Sequence, residues 1–385
     1  MNLETHSNFY ILHITNDYSG SQVYKNLIRE LDQLGIKQTV YTPVKTKLSV
    51  YKNKINLNVK GAQIIYSNIL NKNIDRIFYR LKIRKILKDI EKKIDLSNVD
   101  LIHAHTWYSD GGVAYLLSKK YKIPYVVTIR NTDLNIFYNY LIHERIFGKQ
   151  ILKSAKKVVL ISASYKKRVM ELHSLKSITD ELYDKINVIP NGVDPYWIDN
   201  VTLIKNNDLK GNYNILYIGK FTSGKKVLEL QKAVIKMHSE KQNIHLHLIG
   251  GDGEKQDEVL KIVEENPQVM TYHGRVYNLK ELKTFYKKAD IFAMPSSRET
   301  FGLVYVEAML QGLPILYTKG EGIDGFYSEN IGKKVSKDAE ENEIQHAIEK
   351  MIENLNNYQI PISKILKNHD WKNIAKIYQN KIYRN

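Results

Sequence analysis

Residues 291–319 read IFAMPSSRETFGLVYVEAMLQGLPILYTK. A short apolar run (291–296) enters a polar loop. A second apolar stretch, GLVYVEAMLQG, ends at Gly312 and Pro314, and PILYTK (314–319) follows. Gly then Pro after an apolar periodic stretch stops a helix, so the segment reads strand, loop, helix, strand. Such a unit pairs its two strands in parallel and lays the helix across one face of a sheet. The helix is apolar on all sides except at Glu307, which predicts burial. Glu299 lies eight residues upstream in the loop. The first helical turn offers free amides from about Gly302 to Val304 at the positive end of the helix dipole, an arrangement suited to a diphosphate. Carboxylates on either side of it would accept hydrogen bonds from paired sugar hydroxyls. The plainer reading is that Glu299 is a helix-start acid and Glu307 pairs with a buried Lys or Arg.

The same alternation runs through the whole chain. FYILHIT (9–15), QTVYTP (38–43), AQIIYS (62–67), LIHAH (101–105), YVVTIR (125–130) and KVVLIS (157–162) form one series of strands. NILYIGK (214–220), IHLHLIG (244–250), VMTYHG (269–274) and the two strands above form another. Helical patterns separate most of them, as in 22–34, where Val23, Leu27, Leu31 and Leu34 share a face. The stretch 190–214 is polar, Asn- and Gly-rich and carries two prolines, as a linker does. The expected fold is therefore α/β, with two doubly wound Rossmann-like domains facing each other across an interdomain cleft. Ligands in such sheets bind beyond the carboxyl ends of the strands.

With 385 residues, 43% of them hydrophobic, the chain has material for two cores. Cysteine is absent, which excludes disulfides, Cys–zinc sites and thiol catalysis. The N-terminal residues lack a signal-peptide layout and no apolar run reaches transmembrane length, so the expectation is a cytoplasmic protein. A formal charge of +17 reflects lysine-rich usage in part and otherwise points to anionic partners. Nucleic acid is not expected among them, because no stacking or groove-reading motif is present.

Several other segments carry candidate chemistry. In YIGKFTSGKKVLEL (217–230), Lys220 and Lys225 flank a Thr-Ser-Gly loop at the end of a strand. Two ammonium groups there suit a departing phosphate, though a solvated basic loop has the same sequence. IGGDGE (249–254) is another glycine-rich strand-to-helix turn. Gly20, before a helix that Ser21 can cap, permits close approach of a ligand. LIHAH and HLHL each put two histidines on one strand face, but no third ligand follows at useful spacing and no Asp-x-Asp pair exists. No metal or other cofactor is expected. Residues 71–93 hold nine Lys/Arg against three Asp/Glu, with Ile74, Phe78, Leu81 and Ile90 at helical spacing. Such a helix either rests on anionic lipid or packs its apolar side on the first domain with its charges in water.

Taken together and in this order, the segments resemble the GT-B retaining glycosyltransferases of family 4 (glycosyl transferases group 1). The resemblance is dense in the second half and looser in the first. Glu299 through Glu307 match that family's two glutamates with seven residues between them, and NVIPNGVD, HGRVYNLKELKTFYKKADIFAMPS and LQGLPIL match its phrasing in register. The resemblance implies a hexosyltransferase-type enzyme that moves a sugar, with retention, from a nucleotide-diphospho-sugar, foremost a UDP-sugar. The implied acceptor is a glycan or lipid-linked acceptor in bacterial surface polysaccharide synthesis, at the inner face of the plasma membrane if residues 71–93 bind lipid. A soluble small molecule or protein acceptor, or a weakly catalytic partner subunit, are the alternatives. It further implies that Glu299, Lys225, Lys220 and Arg130 form the reacting centre. Glu307 would hold the ribose, and Phe301, Gly302, Leu303, Val304 and Gly20 the sugar diphosphate. Arg275 and Val276 would hold the base. Two departures stand out: Arg130 replaces a histidine that commonly approaches the reacting sugar, and the glycine-rich loop is reduced to Gly20. The same resemblance gives domains at 1–195 and 196–366, with a terminal helix (about 367–385) returning to the first.

Overall fold

A computed structural model describes residues 9–71, 75, 78–202, 211–240 and 242–384. The chain divides into two compact units. Unit 1 takes the residues up to Ile161, Tyr165–Asn191 and Trp371 onward, and unit 2 takes Ser162–Ser164 and Gly192–Asp370. These breaks, at 191/192 and 370/371, compare with expected breaks after 195 and 366. The shift has a local cause, because the Val193 amide donates to the His369 carbonyl at 3.0 Å and holds both connecting stretches together within unit 2.

Unit 1 is a seven-stranded sheet of β1 (Tyr10–Ile14), β2 (Lys37–Pro43), β3 (Gln63–Ser67), β4 (Leu101–Ala104), β5 (Tyr125–Ile129), β6 (Lys157–Leu160) and β7 (Ile186–Val188). The spatial order is β3-β2-β1-β4-β5-β6-β7, all parallel. Unit 2 has β8 (Tyr213–Gly219), β9 (Ile244–Gly250), β10 (Met270–Tyr272), β11 (Ile291–Ala293), β12 (Ile315–Thr318) and β13 (Gly332–Val335), in the parallel order β10-β9-β8-β11-β12-β13. Both are doubly wound Rossmann-like sheets. The central strands are buried on both faces, which is why they read as continuous apolar runs. Two strands escaped the sequence reading. β7 has three residues, and β13 (GKKV) is an edge strand with Lys333 and Lys334 exposed, so neither shows an apolar run.

The C-terminal segment belongs to unit 1. Trp371, Ile374, Ala375, Tyr378, Ile382 and Tyr383 pack against Leu27 and Leu31 of the helix Gln22–Gln33 and against Ile11, Leu101, Val126 and Val159 of the sheet. Deep in this layer the Tyr383 hydroxyl meets Nδ1 of His103 at 2.8 Å.

The basic segment forms the helix Tyr79–Lys93, which buries Tyr79, Ile83, Ile86 and Ile90. That spacing, not the expected one through Phe78 and Leu81, faces the protein. Phe78 and Leu81 are 53% and 56% exposed, and Ile74 lies outside the described residues. The mismatch follows from phase: residues 79, 83, 86 and 90 keep one stripe on a helix, whereas 78 and 81 diverge from it.

Trp371→Ala removes a large side chain from a filled layer and is expected to cost unit 1 about 3–5 kcal/mol. Urea unfolding followed by tryptophan-independent circular dichroism reads that loss as an earlier midpoint for one part of the transition.

Candidate functional site

In a sheet of parallel strands every carboxyl end opens on the same edge, and the candidate residues of unit 2 fall along that edge. Lys220 and Lys225 follow β8, Gly251–Glu254 follow β9, and Arg275 and Val276 follow β10. The loop 295–302 follows β11, and Glu321 follows β12.

Lys225 ends the tight turn Ser223–Lys225. That turn is fastened on two sides. Glu254 accepts the Ser223 amide at 2.8 Å and its hydroxyl at 2.9 Å. The Gly224 carbonyl accepts the Ser297 amide at 2.9 Å and the hydroxyls of Ser296 and Ser297 at 3.2 Å. Thus the loop after β8 is stitched to the loop after β11, and the Lys225 ammonium forms an ion pair with Glu299. Both side chains are largely buried, at 23% and 13% exposure, so the contact lies in a region where charge is weakly screened. The glycines of IGGDGE serve this packing. A Cβ on Gly250 would come within 1.9 Å of the Gly219 carbonyl oxygen, and one on Gly253 within 2.1 Å of the Phe221 carbonyl oxygen.

Glu299 is held at its backbone as well. Its amide donates to Glu321 Oε2 at 3.1 Å, and its carbonyl accepts the Gly322 amide at 3.0 Å. Glu321 is buried and pairs with Lys337 at 3.1 Å. Three residues on, Gly302 adopts φ +77°, and a Cβ there would meet the Tyr305 ring at 2.4 Å, so only glycine fits before the helix Leu303–Leu310. The amides of Gly302, Leu303 and Val304 donate to no described acceptor, and Phe301 is buried behind them against Phe326 and His369.

Glu307 lies one turn into that helix. It is closely surrounded yet keeps part of its surface open. The buried Lys or Arg of the plainer sequence reading is not its partner; the Tyr286 hydroxyl donates to it at 3.0 Å. Burial pushes its carboxyl from 4.5 up to about 7, against the pull of that hydrogen bond. Arg275 pairs with Asp252 and is 44% exposed, with Val276 beside it. Lys220 is exposed, and its carbonyl, rather than its ammonium, is engaged, by the Tyr217 hydroxyl at 2.8 Å. So the structure brings Lys225, Glu299 and the helix start together and leaves Lys220 outside that network. Sequence reasoning missed Glu254, Glu321 and Tyr286, which carry no motif of their own.

Gly20 and Arg130 lie in unit 1, at the carboxyl ends of β1 and β5. Gly20 closes a turn whose amide donates to the Asp17 carbonyl at 3.0 Å, and a Cβ there would strike the Asp17 carboxylate at 2.3 Å. Nearby, the expectation that the LIHAH histidines lack a third neighbour is corrected. His13, in register with His103 on β1, completes a buried group with His105, the set among the described residues whose nitrogens lie close enough to share an ion. Some of these nitrogens are engaged, while His13 Nε2 and His105 Nδ1 are buried with no hydrogen-bond partner among the described residues. His13 Nδ1 meets His105 Nε2 at 3.0 Å, and His103 meets Tyr383 and Thr128 Oγ1 at 2.8 and 3.0 Å. Burial drives His13 down to about 3 and the other two well below 6.5, and the positive charge of Arg130 adds to the shift at His103 and His105. HLHL likewise gains His273, which meets His247 at 3.0 Å. No helix among the described residues is long and apolar enough to cross a membrane.

Two family models match successive parts of the chain: Glycosyltransferase Family 4 over residues 20–197 and Glycosyl transferases group 1 over residues 201–368. The chain belongs to this family of glycosyltransferases, with the GT-B architecture of two Rossmann-like domains. It is 24% identical over 322 residues to alpha-monoglucosyldiacylglycerol synthase of Acholeplasma laidlawii, covering 78% of this chain and 77% of that one. It is 23% identical to a putative teichuronic acid biosynthesis glycosyltransferase of Bacillus subtilis, over 83% of each. The crystal structure of Anabaena HepE in complex with UDP-glucose superposes with a TM-score of 0.62 over 97% of this chain and 99% of that chain. At 15% identity this is a likeness of fold.

The raised carboxyl of Glu307 has a thermodynamic sign. Between about pH 4.5 and 7 the folded chain holds a proton that the unfolded chain has released, so stability falls as pH rises through that window. Glu307→Gln cannot lose that proton. Its melting temperature is expected to gain on wild type at about pH 8 relative to about pH 4.5, as read by scanning calorimetry.

Proposed function

We propose that the protein is a retaining glycosyltransferase that takes its sugar from a UDP-sugar. The observation that carries this reading is the Lys225–Glu299 pair set beside the free amides of the helix Leu303–Leu310, with Glu307 one turn behind. In this reading Lys225 and those amides hold the diphosphate, with Lys220 adding charge from the rim. Glu299 accepts hydrogen bonds from the donor sugar, Glu307 from the ribose hydroxyls, and Arg275 and Val276 flank the base. Lys220 supplies a point charge without the bidentate fork of an arginine. The acceptor hydroxyl attacks the anomeric carbon from the face the diphosphate leaves. The departing β-phosphate oxygen takes the hydroxyl proton, and the anomeric configuration is kept. The diphosphate charge is met by lysine and backbone amides, so the reaction is proposed to proceed without a metal ion or other cofactor.

The acceptor is proposed to be a glycan or a lipid-linked glycan of a cell surface, in keeping with the names of the relatives. The surface of unit 1 supports a location at an anionic bilayer. Arg84, Lys85, Lys88 and Lys92 are exposed along the helix Tyr79–Lys93. Phe78 and Leu81 are exposed at its start. Arg80 ties that start to Glu144 at 2.6 Å and lies over Phe147, and Ile142 and Ile146 beside them are 63% and 73% exposed. Exposed apolar groups within a basic field match a headgroup boundary of anionic lipids.

Thermal-shift measurements with UDP-, GDP-, ADP- and CDP-sugars are expected to single out UDP-sugars. Transfer or slow donor hydrolysis in wild type is expected to fall by about 100-fold or more in Glu299→Ala, since truncation removes a group that meets the reacting sugar. Equal rates for the two proteins would defeat the assignment. Because ionised Glu307 is the hydroxyl acceptor, UDP-glucose affinity measured by calorimetry is expected to rise from pH 6 to a plateau near pH 8, and this rise is absent in Glu307→Gln. Flotation with vesicles of anionic lipid is expected to recover the chain with the lipid, and neutral vesicles are expected to leave it behind.

A further inference from the structure

Arg130 is held in place by interactions that leave the working end of its side chain unused. Its backbone amide donates to Asp133 Oδ2 at 2.9 Å. The same carboxylate also takes the Trp107 and Tyr108 amides, at 2.9 and 3.1 Å, so this part of the main chain is fixed to the loop after β4. The guanidinium lies over the ring of the buried Tyr24, 4.6 Å from its centre, and its Nε donates to the His105 carbonyl at 3.0 Å. The two terminal nitrogens donate to no described residue, and Arg130 forms no ion pair within 4.0 Å among the described residues. The side chain is only partly buried.

Charged groups of both signs lie around it. Lys45 and Lys82 act on the same group of residues, Lys82 with its ammonium on Ser109 Oγ at 2.8 Å. The carboxyl groups that would offset them are Asp17, Asp110 and Asp133. Burial raises all three, Asp110 to about 7 and Asp133 to about 6, and it lowers Lys82. Asp133 is in addition occupied by three amides, and Asp110 by the amide and side chain of Asn16.

A planar fork of N–H donors, oriented before any ligand arrives, matches two coplanar anionic oxygens better than a neutral hydroxyl. We propose that Arg130 is the centre of an oxyanion-binding subsite in unit 1, at the carboxyl ends of β1 and β5, which takes a carboxylate or phosphate group carried by one of the substrates. The word substrate rests on the glycosyltransferase reading above; the anion subsite does not.

The probes are glucuronate, with glucose as its neutral counterpart, and inorganic phosphate in the presence of saturating UDP to occupy the phosphate site proposed in unit 2. Calorimetric titration of the full chain is expected to show binding of glucuronate and phosphate but not of glucose. Arg130→Gln is expected to weaken both anions by about 10- to 100-fold, the range for removal of a charge-assisted pair of hydrogen bonds, and Arg130→Lys to retain part of the affinity. Far-ultraviolet circular dichroism checks that the variants are folded, and the wild-type contrast between glucuronate and glucose decides independently of them. Anion binding equal in Arg130→Gln and wild type, or no preference of wild type for glucuronate over glucose, overturns the proposal. If UDP itself fails to bind wild type, the donor assignment falls, while the glucuronate comparison still tests Arg130. Transfer assays then locate the anion. A preference for UDP-glucuronate over UDP-glucose that disappears in Arg130→Gln assigns it to the donor. A preference for a phosphorylated over a dephosphorylated acceptor that disappears in the same variant assigns it to the acceptor.

Discussion

The ion pair between Lys225 and Glu299 joins two loops 74 residues apart in the chain, and much of unit 2 is arranged so that it can form. Partly buried opposite charges gain from each other only when their geometry is fixed, since each has given up water. Here the fixing is done by neutral and charged groups that touch neither charged end. Glu254 grips the turn that carries Lys225. Gly224 offers its carbonyl to three donors of the opposite loop, and Glu321 with Gly322 grips the backbone of Glu299. Parallel strands make this economical in length, because loops from β8, β9, β11 and β12 all emerge on one edge of the sheet.

The fold was legible because buried parallel strands are written as apolar runs and the helices between them keep their own period. Where that coding lapses, the reading lapses too. β13 is an edge strand with two lysines, and β7 is only three residues long. The helix Tyr79–Lys93 presented two overlapping apolar spacings, and packing selected the one through Tyr79, Ile83, Ile86 and Ile90. The candidate site was legible where chemistry and spacing coincide, in Glu299, Glu307, Gly302 and Lys225. Supporting groups such as Tyr286 and Glu321 were invisible for a physical reason. They act through contacts between helices and loops 21 and 22 residues apart, and a lone Tyr or Glu in a helix or turn has many uses. His13 escaped in the same way: its neighbours His103 and His105 lie on and just past the adjacent strand, 90 or more residues on.

The two units handle charge differently. In unit 2 a lysine and a glutamate answer each other directly. In unit 1 burial raises Asp17, Asp110 and Asp133, and Arg130 forms no ion pair within 4.0 Å among the described residues. Near that arginine the buried histidines make two separate sets of contacts, His13 with His105 and His103 with Tyr383 and Thr128.

The return of residues 371–384 to unit 1 also has a kinetic side. The His103–Tyr383 contact spans 280 residues, and Trp371 through Tyr383 cover a face of a sheet whose strands are made in the first half of the chain. During synthesis unit 1 therefore waits, with the cluster around Ile11, Leu101, Val126 and Val159 only partly covered, until unit 2 has left the ribosome. Unit 2 is continuous but for a three-residue piece and can fold in that interval. Residues made after unit 2 complete the domain begun before it, and the slow closure of so long a loop is the step at which a partly covered apolar sheet is most exposed to aggregation.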